Sequence, residues 1–427
     1  MIVIAAVFII TLLIGVPIAL VLGLSGMTHM LVMSPDMLIA LPQKLFTSAS
    51  NYSLLAIPLF LLAGELMGLS GDVDRLCNLA RVLIGRVKGS LCYATVLLGA
   101  MLGASLGSAN AEAALLGSVM YPNLKKDGYG EVFSAGLIGA TSIIGPMIPP
   151  GLLFVIYACQ AGISVRDLFL CGVSVGIYLA IALFAVIFFF SRRRDWPVGE
   201  KPKKGELWHA FVQAIFSLLS PIIALLCIAT GVCTATEAAA VLSMCIFLVG
   251  MFIYKTINIE NLYQCLLKSA VSAAAVLMIG AMGGVFGYTL AFDQIPTKLA
   301  SFVIGLSDNK YVILLLINLM LLVIGMLMDA TPAVIILVPV LLPIIAQYNY
   351  NPVHFGVVVC LNLTVGLLTP PVGTCLYTTA SATGVEANKL VKSIWPWVGV
   401  CVAVLIFVTY CPASVMWLPN LLAKFAA

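Results

Sequence analysis

Gly145-Pro-Met-Ile-Pro149-Pro150 and Gly366-Leu-Leu-Thr-Pro370-Pro371 are the two stretches whose reading decides the fold. They stand 221 residues apart (366 − 145) at each shared position, and the same offset carries Pro122 to Pro343, Ser108 to Asp329 and Asn110 to Thr331. That register predicts an internal duplication. Each copy sits in an apolar stretch, where a Gly followed by a Pro pair interrupts the helical hydrogen-bond ladder and frees backbone carbonyls. In a bilayer such a break survives only beside protein or a water-filled cavity. Two breaks at matching places in two halves point to a solute-binding site.

Composition places the chain in a membrane. Hydrophobic residues make up 62% and charged residues 9%, with a mean hydropathy of +1.16; ordinary globular chains are about 25% charged. Leu168 to Phe190 alone is long enough to cross about 30 Å of hydrocarbon as a helix. The formal charge is only +4, carried by short basic segments between apolar runs. That pattern sets topology and gives no nucleic-acid footprint. The 12 cysteines form no CxxC pair, and Cys171, Cys227, Cys245 and Cys401 lie within apolar runs, as small buried hydrophobes do. His29, His209 and His354 are far apart, so no metal cluster is expected. There is no Walker-type loop and no catalytic constellation, so neither ATP hydrolysis nor other enzyme activity is expected. The N-terminal apolar segment lacks a charged n-region and is read as a retained span.

The longest polar stretch, Ser191 to Gly205, carries six Lys and Arg residues and predicts a cytoplasmic linker, 191–207, between a first repeat (1–190) and a second (208–427). Walking backward, 168–190 runs from outside to inside and a broken segment, 132–157, from inside to outside. Between them and Arg81, Arg86 and Lys88 lies 90–122, interrupted by small and polar residues and flanked by basic residues at both ends. A re-entrant hairpin entered from the cytoplasm fits this; one long helix packed through Gly99, Gly103 and Gly107 is the alternative. Walking forward, spans at 209–231, 237–254 and 269–290 leave the chain outside. The second hairpin, 309–347, is broken at Met328-Asp-Ala-Thr-Pro332 and flanked by Asp308, Lys310 and an uncharged Gln347-to-Asn351 stretch; a broken helix at 354–380 and a span at 394–417 follow. The expected fold is an all-α polytopic membrane protein with inverted-topology repeats, two re-entrant hairpins and two broken helices.

Two regions are less regular. Symmetry asks for five spans before the linker, yet hydropathy before Ser53 shows one strong run ending near Met33 and then a stretch interrupted by Pro35 and Pro42. Pro17 resembles Pro221 in its setting, which puts the start of the repeat near the N-terminus. Gly71–Lys88 and Gln294–Leu306 follow equivalent spans, and Leu76, Leu79, Ala80, Leu83 and Val87 recur at helical spacing. These segments are interfacial arms bracing a moving part, or plain amphipathic connectors.

Uphill transport without ATP must draw on an ion gradient. Ser105, Ser108 and Asn110 at one hairpin tip, and Asp329 and Thr331 at the other, offer hard oxygen donors opposite the two breaks. Two symmetry-related sodium sites are the expectation. Asp329 breaks the symmetry, since its partner is Ser108; it is a substrate contact at membrane depth or the cap of the half-helix that follows. Glu65, Glu112 and Glu237 lie in or near apolar runs, as packing or helix-end carboxylates or as a proton relay.

Leu55-Ala-Ile-Pro-Leu-Phe-Leu-Leu-Ala-Gly-Glu65, Thr234-Ala-Thr-Glu-Ala-Ala-Ala240, Met328-Asp-Ala-Thr331, Pro352-Val-His-Phe-Gly356 and Asn362-Leu-Thr-Val-Gly-Leu-Leu-Thr-Pro-Pro-Val-Gly373 together resemble the large membrane subunit (M subunit) of tripartite ATP-independent periplasmic (TRAP) transporters, of the ion transporter superfamily. The resemblance covers essentially the whole chain. It implies an elevator-type, Na+-driven carrier of small carboxylates, sialic acid or a C4-dicarboxylate first among them, in the bacterial inner membrane. It also implies two partner chains, a small four-span membrane subunit (Q subunit) and a periplasmic substrate-binding protein (P subunit). By position it puts sodium ligands on Ser105, Ser108, Asn110 and carbonyls of Gly145 and Ile148 in one site, and on Gly325, Thr331, Gly366 and Thr369 in the other. Substrate would sit between Ser108 and Asp329. A stand-alone carrier of the same superfamily would show a similar repeat but work without a binding protein; a channel would need no saturable uptake.

Overall fold

A chain crossing hydrocarbon must satisfy every backbone N–H and C=O within itself, and helices do so locally. The computed structural model describes residues 2–33, 35–199, 201–306 and 309–426. It is helical throughout, and its only β-pairing among the described residues is one bridge, Lys88 to Val198. Asp308, a flanking charge in the topology argument, lies outside the described residues.

Among the described residues, seven helices are long and apolar enough to cross a membrane, or up to nine if each of two bent pairs counts as one span. Ile259–Phe292 is a single 34-residue helix, ten residues longer at its start than the expected span. Glu260 and Lys268 lower the hydropathy of those first turns without interrupting the backbone. Before Ser53 the chain folds as Ile2–Leu13, Ile18–Met33, a short 3-10 turn and Ala40–Ala49. Pro17 and Pro221 differ in role. Pro17 follows Gly15, whose φ of +84° ends one helix, and precedes the start of the next; Pro221 sits inside Glu206–Thr230.

Ser90–Leu106 and Ala109–Lys126 form the first hairpin. A Cβ on Gly99 would lie 3.5 Å from Leu116 Cδ1, whereas 17 residues of straight helix would separate the two by roughly 25 Å. The chain therefore turns back rather than running through as one long helix. The turn is made at Gly107, at φ +59°, where a Cβ would also press on Pro150 O at 2.8 Å. Lys310–Leu327 and Ala330–Gln347 turn back likewise, with Tyr350 Oη donating to Lys310 O at 2.8 Å.

Each hairpin lies across one broken helix. The first is Glu131–Thr141, a 3-10 turn Gly145–Met147 and Leu152–Ala161, bent by 44°. The second is Pro352–Leu368 and Thr374–Thr383. Both Pro–Pro bonds of the duplicated phrase are cis. The glycine of each phrase is the point of closest approach: a Cβ on Gly103 would sit 2.7 Å from Gly145 Cα, and one on Gly366 would sit 2.6 Å from Gly325 Cα. Backbone meets backbone there, so only hydrogen fits.

The hairpins, the broken helices, Val165–Arg193 and Trp395–Tyr410 pack as one group. Ala56–Ser70, Glu206–Thr230, Ala235–Leu248 and Ile259–Phe292 pack as another, together with Ile18–Met33 and Ala40–Ala49. Glycines also stand where the groups touch. Gly64 admits Ser105 O, at 3.2 Å from where its Cβ would be, and Gly283 admits Ile335. The arm Asp72–Ile84 buries Leu76, Leu79 and Ala80 but leaves Leu83 and Val87 exposed, so its apolar face is shorter than the periodicity predicts. Val87 lies past the helix end at Gly85. Asp72 accepts hydrogen bonds from Ser70 and from Ser217 on Glu206–Thr230, and the Arg75 guanidinium lies 3.5 Å from the centroid of the Tyr254 ring. Between the halves, Trp196 is buried against Phe133 at 5.0 Å between ring centroids.

Overpacking a site with no yielding side chain costs about 1–3 kcal/mol. Gly366→Ala is expected to lower the thermal unfolding midpoint of the purified protein. Gly399→Ala, where a Cβ meets nothing within 4 Å, is expected to leave it unchanged or raise it.

Candidate functional site

The two hairpin tips meet. Ser108 and Asn110 of the first and Asp329 and Thr331 of the second line one cavity of about 70 Å³, closed by Gly107, Pro146, Leu152, Leu153 and Leu367. Three helices begin at this cavity: Ala109–Lys126, Ala330–Gln347 and Leu152–Ala161. A fourth, Thr374–Thr383, reaches it through Thr374, whose Oγ1 is 3.4 Å from both Nδ2 and Oδ1 of Asn110. Each helix start presents unpaired N–H groups and a partial positive charge. Three of them around one small space, with the fourth beside it, favour an anion.

Neither tip residue is used up as a cap. Ser108 occupies the N-cap position in extended conformation, with φ −135°, and its side chain makes no cap hydrogen bond. Asp329 does the same at φ −64° and ψ 150°. Its carboxylate faces the N–H groups of Ala330 and Thr331 without closing a bond of ordinary cap geometry. Capping and substrate contact are thus compatible roles for one half-buried group. At about 70 Å³, the cavity has room for about two waters at roughly 30 Å³ each, far below the ~300 Å³ at which ligand pockets begin. In this conformation the space is too small for an organic solute, which fits only if the tips separate.

The residues assigned to sodium by resemblance fall into four settings. Ser108, Asn110 and Thr331 line the tip cavity. Ser105 is buried with its hydroxyl unpartnered, and its carbonyl faces Gly64. Gly145 lies against Gly103, Gly325 against Gly366, and Ile148 packs on Gly176. The Thr369 hydroxyl donates to Val365 O at 2.9 Å, leaving its lone pairs free to accept, and Gly373 N donates to Met326 O at 3.1 Å across to the second hairpin.

Of the three carboxylates left open above, Glu237 closes a capping box with Thr234, whose N–H donates to it at 2.7 Å. Glu65 sits 3.7 Å from Lys268. Glu112 is fully buried with both oxygens unpartnered. Sequence reasoning missed Thr374, which nothing in spacing ties to Asn110, and Thr141, an ordinary helix-end residue until the fold sets it beside Glu112. Gly103 was legible only as a packing residue.

An all-helical chain with seven helices long and apolar enough to cross a membrane among its described residues, two of them the arms of the second hairpin, has the architecture of a multi-pass membrane protein. The YdaH transporter of Alcanivorax borkumensis has the same fold, with a TM-score of 0.62 at 14% identity over 89% of this chain and 88% of that one. The description "Tripartite ATP-independent periplasmic transporter, DctM component" matches residues 5–414, and the chain belongs to that family. It is 34% identical to the C4-dicarboxylate TRAP transporter large permease protein DctM of Pseudomonas aeruginosa, over 93% of each chain. It is 35% identical to the sialic acid TRAP transporter large permease protein SiaM of Vibrio cholerae, over 89% of each. Against the isethionate TRAP transporter permease protein DctMQ of Oleidesulfovibrio alaskensis, 34% identity extends over 96% of this chain but 65% of that longer one.

Asn caps a helix as well as Asp does, so Asp329→Asn separates the two roles of that residue. Uptake in proteoliposomes is expected to fall at least about tenfold, the loss of a charge-assisted hydrogen bond, with the unfolding midpoint nearly unchanged.

Proposed function

We propose that the chain is the transport subunit of a TRAP system that uses a sodium gradient to take up a small carboxylate, of the sialic acid or C4-dicarboxylate type, across the bacterial inner membrane. The observation that carries this reading is the tip cavity, where three helix N-termini converge with Ser108, Asn110, Asp329 and Thr331 and a fourth stands beside them. Helix N-termini meet the carboxylate, and Asp329 and Ser108 meet hydroxyl or amine groups of the same solute. Sodium binds at the two breaks, where carbonyls freed by the Gly–Pro phrases join hydroxyl and amide oxygens of the tips.

The packing of the hairpins and broken helices as one group supports an elevator motion in which that group slides against the other and carries the closed cavity with it. Glycines stand at the contact, Gly64 against the Ser105 backbone and Gly283 against the Ile335 side chain. A small four-span membrane subunit and a periplasmic substrate-binding protein complete the system, as separate chains. The names of the relatives, one a C4-dicarboxylate, one a sialic acid and one an isethionate transporter, support a small organic anion as the cargo and leave its choice to the binding protein.

Reconstitution in proteoliposomes with an imposed inward sodium gradient tests the reading. Uptake of sialic acid or succinate is expected only when the small subunit and the binding protein are both supplied. Uptake independent of both would contradict it in favour of a stand-alone carrier.

A further inference from the structure

Glu112 stands in the first turn of Ala109–Lys126, on the side away from the tip cavity, and is completely buried. Its carboxylate is wedged between two backbones. A Cβ added at Gly145 would overlap Oε2, and one at Gly99 would lie 2.8 Å from Oε1. Thr141, the last residue of Glu131–Thr141, reaches the same place: a Cβ at Gly99 would also overlap its Cγ2, and its Oγ1 is buried without a partner. Glu112 and Thr141 thus meet at Gly99, and between them they carry three buried oxygens with no hydrogen-bond partner.

The surroundings offer no counter-charge. Ser90–Leu106, Gly145–Met147 and Thr374–Thr383 pack against this helix and contain no charged residue, and Glu131–Thr141 contributes only Glu131. On the helix itself the basic residues are Lys125 and Lys126, some 13 residues further on, or roughly 20 Å along the axis. A buried ionised carboxylate without a partner is strongly unfavourable. A neutral carboxyl would need its O–H satisfied, and neither Glu112 oxygen has a hydrogen-bond partner. The spot does lie at the C-terminal end of a half-helix, whose carbonyls carry partial negative charge and favour a cation.

We propose that Glu112 and Thr141 form a buried site for a sodium ion behind the first break, distinct from the tip cavity. The ligands are hard oxygens, which suit an alkali cation. A single carboxylate suits a monovalent ion, and no group of three or more acidic, His or Cys residues exists among the described residues to hold a divalent one. The bound ion ties the second arm of the first hairpin to the helix end at Thr141 and so holds the first break closed. This inference rests on the sodium-coupled reading above and adds to it a site with a full negative charge.

The full-length chain in lipid nanodiscs provides the test, at fixed pH and ionic strength with N-methyl-D-glucamine replacing sodium and no substrate present. Sodium-dependent thermal stabilisation and binding of radioactive sodium are measured for wild type, Glu112→Gln, Glu112→Asp and Thr141→Val. The sodium midpoint is expected to rise at least about tenfold in Glu112→Gln, the scale on which losing a group around a metal lowers affinity. Glu112→Asp is expected to recover part of it, and Thr141→Val to show a smaller rise. A folded Glu112→Gln with the wild-type midpoint overturns the proposal and makes Glu112 a neutral packing group. Should Glu112→Gln fail to fold, an unchanged midpoint in Thr141→Val overturns it equally. A wild type that neither binds nor responds to sodium overturns the sodium-coupled reading as well, whereas failure of the Glu112 variants alone leaves that reading standing.

Discussion

Two backbone contacts, Gly103 on Gly145 and Gly325 on Gly366, hold the rest of this structure in place. A helix broken in the membrane exposes polar backbone groups that lipid cannot satisfy, so a break is tolerated only when protein covers it. Each hairpin supplies that cover by laying its first arm across the break with no side chain in between. The consequence is positional. Once the arms are fixed on the phrase glycines, the tips at Ser108 and Asp329 land on one cavity, with the half-helix starts at Leu152 and Thr374 pointing into or beside it.

Much of this was legible in the sequence, because Gly and Pro act locally. A Gly-x-x-x-Pro-Pro phrase breaks a helix whatever surrounds it, and a constant offset then pairs Ser108 with Asp329 without any knowledge of packing. Charge bias was a weaker guide and left one long helix as the alternative at 90–122; the contact of Gly99 with Leu116 shows that the chain turns back there. What was not legible depends on tertiary neighbours. Glu112 has the same local context as a harmless helix-start carboxylate, and Glu237 is one; only burial and the missing partners distinguish them. Thr374 and Asn110 are 264 residues apart and meet only through the fold. The exposed Leu83 and the amphipathic opening of Ile259–Phe292 show the same limit, since periodicity and hydropathy report a residue's type and not what packs on it.

The symmetry also explains where selectivity and coupling separate. Features present in both halves, the breaks with their glycine covers, are where the proposed cation sites lie. Features present in one half only, Asp329 in the second and Glu112 in the first, adapt that common frame. At position 333, the offset partner of Glu112, the second half carries Ala, fully buried in Ala330–Gln347. One carboxylate thus stands behind the first break and the other at the opposite tip, where only Asp329 lines the cavity.

The most direct measurement of the central claim, that the two breaks bind cations around one solute cavity, is simultaneous counting of radioactive sodium and labelled substrate entering the same proteoliposomes of the assembled system. The account predicts a fixed ratio of more than one sodium ion per substrate molecule, unchanged as either concentration is varied. Substrate entry with no accompanying sodium would contradict it.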